Sequence, residues 1–155
     1  MHDRRTRVTT AARLNEGVAV FVLLAFLSIV FNWCLERRVR NNLRRYRDRR
    51  CTGAAWRRAF PDPPRQDIRK FLSLFAQSLE VRGTPILSFA PGDRIIDVYN
   101  AVNPLEGWPD AFELETFARE LAREYVLDLE AIWHADLTLG EVFQRARESA
   151  RVLEV

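Results

Sequence analysis

The chain offers few residues from which a reactive centre could be built. It has 155 residues, with two cysteines and two histidines. Neither Cys34 nor Cys51 has metal-ligand spacing, and two cysteines with the distant His2 and His134 make no zinc pattern. Cys34 falls at the end of an apolar run and no cysteine follows Cys51, so a disulfide is not expected; this suits a reducing compartment. His134 follows Trp133 near Asp136 and reads as a loop or cap residue rather than a base. Asp93, Asp97 and Asp110 could be imagined as a cation cluster, but their spacing matches no ion-binding loop, and Asp110 is better explained as a helix cap. There is no glycine-rich phosphate loop and no nucleophile–base pair. The expectation is a protein with no catalytic residue, no cofactor and no metal site. What remains are carboxylates suited to recognition: Asp110, Glu113, Glu120 and Glu124.

Charge is divided sharply along the sequence. Residues 1–60 carry a net +10, all of the cations arginine, whereas residues 61–155 carry a net −7. A basic block beside an acidic block implies two different physical tasks.

Residues 17–35 read GVAVFVLLAFLSIVFNWCL, 19 residues without a charge between Glu16 and Glu36. At 1.5 Å per residue such a helix reaches about 28 Å, close to the hydrocarbon thickness of a bilayer. Ser28 and Asn32 are the clearly polar interruptions, and Trp33 suits an interfacial anchor. A soluble core helix would show a polar face, and a cleaved signal sequence would end in small residues; this run does neither. Four arginines precede it (Arg4, Arg5, Arg7 and Arg13). Eight follow closely (Arg37, Arg38, Arg40, Arg44, Arg45, Arg47, Arg49 and Arg50). That bias favours a cytoplasmic C-terminus.

In the stretch ERRVRNNLRRYRDRR, residues 36–50, the nearest anion for the arginines is lipid phosphate. Arg37, Arg38, Arg40, Arg44 and Arg45 are therefore the candidates for anionic lipid head groups. Nucleic acid, bound through phosphate contacts, is the less favoured partner. Val39, Leu43 and Tyr46, spaced four and three apart, suggest that the helix continues along the membrane surface. Gly53 and Pro61-Asp-Pro-Pro64 break any such helix, which makes Cys51 to Pro64 a linker.

Three amphipathic helices are predicted beyond it. The first runs from Gln66 to Glu80, with Ile68, Phe71, Leu72, Phe75 and Leu79 on its apolar face. A long connection follows from Val81 to Pro109, in which Ile95, Ile96, Val98 and Tyr99 form either a helical turn or an extended segment. The second helix opens with Asp110 and Glu113 in capping-box spacing. Its apolar stripe is Leu114, Phe117, Ala118, Leu121, Ala122 and Tyr125, and its other face is charged, with pairs such as Glu115–Arg119. Trp108 and Phe112 are expected to pack as a staple around Asp110. Leu127, Leu129, Ile132 and Trp133 supply further core. The third helix opens at Thr138 with Glu141 three residues on, and buries Leu139, Val142, Phe143 and Ala146. The expected fold is all-α: an N-terminal transmembrane helix (17–35, after a flank of 1–16), an arginine-rich juxtamembrane segment and linker (36–64), and a small three- to four-helix bundle (65–155).

Over roughly residues 66–150 the pattern resembles the acyl carrier protein fold. The resemblance lies in a helix, a long loop, Asp110-Ala111-Phe112 opening the next helix, the spacing of Phe117, Leu121 and Tyr125, and Thr138-Leu139 opening the last one. It is closer still to a bacterial acyl-carrier-like family of unknown function, in Val126-Leu127-Asp128-Leu129 and in lacking the carrier serine. That serine is where carriers attach phosphopantetheine; the matching position here is Ala111, which has no attachment point. The resemblance therefore implies a non-acylatable carrier-like module, with an acidic surface over Asp110, Glu113, Glu120 and Glu124 for a protein partner with a basic surface. The expected location is a bacterial inner membrane, with the arginine bias placing the C-terminal domain in the cytoplasm. The alternatives are an accessory subunit of membrane-associated acyl or lipid metabolism, and a nucleic-acid tether through the arginine-rich segment.

Overall fold

A computed structural model describes residues 4–103 and 112–153. Among them the chain is all-helical. The helices are α1 (Arg4–Asn42), α2 (Arg44–Arg47), α3 (Gly53–Ala59), α4 (Arg65–Ser78), α5 (Ile95–Val102), α6 (Phe112–Tyr125), α7 (Leu129–Ile132) and α8 (Leu139–Leu153), with a 3-10 turn at Ile86–Ser88. The chain divides into two compact units, Met1–Arg38 and Val39–Val155.

The first unit consists of most of α1. From Val20 to Trp33 its large apolar side chains are between 40% and 75% exposed, on every side of the helix. Val20–Asn42 is long and apolar enough to cross a membrane by length and composition, and none of its apolar window is buried. The Ser28 hydroxyl donates to the Leu24 carbonyl at 2.9 Å, so the helix satisfies this polar group internally.

The second unit is a helical bundle around aromatic rings packed mostly edge-to-face or tilted. Phe71 of α4 lies at its centre, 5.3 Å from Phe143, 6.3 Å from Trp56 and 6.4 Å from both Phe117 and Tyr125 between ring centroids. All five apolar positions expected on α4 are buried, as are Leu139, Val142, Phe143 and Ala146 on α8. On α6 the fully buried residues are Phe117 and Leu121. The ambiguous segment at Ile95 is a two-turn helix with Ile95, Val98 and Ala101 inward. Leu127 and Leu129 join the core, whereas Trp133 remains 40% exposed. The openings of α5 and α8 lie side by side through an isolated antiparallel bridge between Arg94 and Thr138. There Ile95 N–H donates to Leu137 O at 3.0 Å, and Leu139 N–H to Asp93 O at 2.9 Å. Gly140 is needed for this approach: a Cβ there would sit 3.0 Å from the Pro91 carbonyl oxygen.

Two features differ from the sequence expectation. The bundle begins at Val39 rather than at residue 65. The segment expected to be a linker contains α3, and Trp56 on α3 is completely buried, with its Nε1–H donating to the Phe89 carbonyl at 2.8 Å. Thr52 Oγ1 lies 2.7 Å from the carbonyl oxygens of both Leu87 and Phe89. Likewise the Val39–Leu43–Tyr46 stripe, expected to lie along lipid, faces protein: Leu43 and Tyr46 are buried and Val39 packs against the same core. The spacing is helical as predicted; what covers the stripe is the bundle.

Removing Trp56 therefore tests core membership directly. Trp56→Ala leaves a large cavity and strips the Phe89 carbonyl of a donor, so it is expected to cost about 3–5 kcal/mol in denaturant unfolding of the full chain. A loss under about 1 kcal/mol would mean that this segment is the linker its prolines suggest.

Candidate interaction surfaces

Asp110 and Ala111 lie outside the described residues, and so does Trp108. The remaining recognition carboxylates are on α6, where spacings of seven and four put Glu113, Glu120 and Glu124 on one flank. The structure engages two of them internally. Glu124 Oε2 sits 2.7 Å from Lys70 Nζ on α4. Their hydrogen bond raises the Lys70 pKa and lowers that of Glu124. Glu120 pairs with Arg123, which also lies 3.6 Å from Glu124. Glu113, half-buried, and Glu115, exposed, have no ion pair among the described residues. The expected Glu115–Arg119 pair does not form: Arg119 Nη2 donates to Thr116 Oγ1 at 3.1 Å. Phe112, expected to pack as a staple, is 62% exposed. The first turn of α6 thus presents an exposed ring beside two carboxylates with no cation partner among the described residues.

The arginines sort into two groups. Arg37 stacks over Trp33, 5.4 Å from the ring centroid. Arg38 and Arg40 are exposed and have no ion pair among the described residues. Arg44 pairs with Asp48 at 2.9 Å, one turn away. Arg45 is tied more firmly, with Nη2 donating to Tyr46 Oη at 2.7 Å and to the Asp97 carbonyl at 3.1 Å. Arg49, not among the lipid candidates, places Nη1 2.8 Å from both oxygens of Asp93. Both guanidinium groups lie against the Tyr46 ring, at 4.8 and 5.0 Å. Burial raises the Tyr46 pKa, and Arg45 pulls the other way. Sequence reasoning missed this docking: the only signal was the position of the acids at Asp93 and Asp97, far away along the chain.

Each of those carboxylates is claimed by an arginine. Asp93 also accepts from Ala90 N–H at 2.7 Å, and Asp97 is held by Arg94 at 2.9 Å, which reaches Asp136 at 2.8 Å. Both neighbours raise the Arg94 pKa, Asp97 foremost. Among the described residues no group of three or more histidines, cysteines or acids is placed to hold a metal ion. His134 is exposed. A groove of about 400 Å³ runs between α6 and α7, lined by Ala118, Arg119, Ala122, Val126, Leu129 and Glu130.

No family model, curated protein or solved structure matches this chain.

The predicted capping box at α8 is present. Glu141 Oε2 accepts from the Thr138 backbone N–H and hydroxyl, each at 2.8 Å, and Thr138 Oγ1 accepts from Glu141 N–H at 3.3 Å. These bonds, the backbone one first, hold the Glu141 carboxyl below its usual pKa. A depressed folded pKa contributes stability above the unfolded value that is lost as pH falls through the folded one. Glutamine keeps the reach to Thr138 but does not titrate. Denaturation of Glu141→Gln across pH should therefore lose part of the wild-type decline below about pH 5. Thr138→Ala is expected to cost about 1 kcal/mol at neutral pH. An acid decline identical in wild type and Glu141→Gln would show that this box contributes nothing to the pH dependence.

Proposed function

We propose that the chain is a non-enzymatic, single-pass membrane protein. Residues 17–35 span the bilayer, and the helical bundle, held at the cytoplasmic face of a bacterial inner membrane, docks a basic protein partner. The observation that carries this reading is the all-round exposure of the apolar side chains from Val20 to Trp33. In water that surface is unfavourable, whereas each Leu, Ile, Phe or Val near a bilayer centre favours insertion by about 0.3–0.6 kcal/mol. Supporting it are the arginines that follow. Arg37, Arg38, Arg40 and Arg44 remain solvent-facing and meet anionic head groups, while Arg45 serves the bundle through Asp97. The excess of arginine after the span argues for the cytoplasmic side.

Partner docking is supported by the charges that the bundle leaves uncompensated. With Glu120 and Glu124 already neutralised within the chain, the weight falls on Glu113 and Glu115 beside the exposed Phe112. An aromatic ring flanked by uncompensated carboxylates suits a partner surface that offers an apolar contact rimmed by Lys or Arg. The absent attachment point at Ala111 goes with docking rather than acyl transport.

Two measurements test this reading. Membranes carrying the full-length chain, washed with alkaline carbonate, should retain it in the pellet; release into the supernatant ends the membrane reading. In pull-downs from solubilised membranes, the double variant Glu113→Lys/Glu115→Lys should lose the bound partner, and Glu124→Lys should lose much less of it. Partners unaffected by the double reversal would remove α6 as the docking surface.

A further inference from the structure

We propose that the membrane span pairs with a second copy of itself, in parallel, through Asn32. The inference rests on the reading of α1 as a membrane span and adds to it an interaction surface. Asn32 is the one carboxamide in the apolar run, and it is exposed with no hydrogen-bond partner among the described residues. Ser28, one turn earlier, differs: its hydroxyl is already committed to the Leu24 carbonyl. In an α-helix the Cα–Cβ bonds tilt toward the N-terminus. The apolar run lies on that side of Asn32, so its amide leans into the run and away from Glu36, where water is closest. A carboxamide without partners costs up to about 4–8 kcal/mol in hydrocarbon relative to water, and less beside the interface that Trp33 marks, so pairing is favoured.

A second copy suits the need better than another molecule, for two reasons. The carboxamide carries both donor and acceptor, so two of them are mutually complementary. All copies of a single-pass chain insert in the same sense. Two spans side by side therefore run parallel around a two-fold axis, and Asn32 meets Asn32 at the same depth. The residues sharing its face follow the alternating three-and-four spacing of a helix–helix seam: Ala25, Ser28, Asn32 and Leu35. Ala25 and Ser28 are small enough to let two backbones approach.

The experiment is sedimentation equilibrium of the full-length chain in density-matched neutral detergent micelles, with a parallel measurement of energy transfer between labelled copies in phosphatidylcholine vesicles. Wild type should be dimeric. Asn32→Leu should weaken the dimer about tenfold, the size expected for one interhelical hydrogen-bonded pair. Val30→Leu, on the opposite side of the helix, should leave it unchanged, and circular dichroism should be the same for all three. A monomeric wild type that resists carbonate extraction overturns this inference and leaves the span standing. Equal dimerisation of wild type and Asn32→Leu also overturns it. Release by carbonate overturns both readings.

Discussion

One carbonyl oxygen, that of Phe89, fixes how the basic and acidic parts of the sequence meet. It accepts from the Trp56 indole and lies within hydrogen-bonding distance of the Thr52 hydroxyl. The indole enters the ring cluster of Phe60, Phe71 and Phe143. Withdrawing α3 would open a cavity the size of an indole and leave a buried carbonyl short of donors, two costs that add. The residues just before α3 are therefore held too. Tyr46 is buried against Phe89, and its ring is flanked by Arg45 and Arg49, which reach Asp97 and Asp93. The arginine-rich stretch cannot be a loose collar: part of it is wall to the bundle.

That constraint also sorts the charges. Arg49–Asp93 joins the basic part of the chain to the acidic part, while Arg94–Asp97 and Lys70–Glu124 close within the acidic part. The more exposed of these, Arg94–Asp97 and Lys70–Glu124, add little stability individually. Their effect is to decide which charges remain for others. Arg38 and Arg40 remain on one unit and its border, Glu113 and Glu115 on α6. The pairing thus changes where charge is left for a partner more than how much net charge there is.

The elements that the sequence reveals are those whose evidence is periodic and local. α4 and α8 announce themselves by apolar stripes, and the start of α8 by Thr138 and Glu141, because a stripe and a cap are properties of a single helix. α3 is hidden for the opposite reason. It has seven residues and a single buried aromatic, and it is followed by Pro61-Asp-Pro-Pro64, so its order comes from Trp56 meeting Phe89, residues far apart along the chain. The Val39–Leu43–Tyr46 stripe is the instructive intermediate: its helical spacing is legible, but an apolar face does not say what will cover it. The same limit applies to the surfaces. The row on α6 is readable as a row, whereas the quenching of Glu124 by Lys70 depends on α4 packing beside it.

The question of what covers an apolar face then returns with more force at Val20 to Trp33. Among the described residues, every core side chain, and every side chain packed against that core, lies at Val39 or beyond. The run therefore supplies no described side chain to that core. Yet its side chains are apolar all round, which no single protein face can cover, since one groove buries one side of a helix. A medium that surrounds the helix would satisfy every side, and hydrocarbon would do so at no cost to the backbone, whose hydrogen bonds are closed within the helix. The polar demands that such a medium leaves in this run lie at its end, at the Asn32 carboxamide and the Trp33 indole N–H beside it.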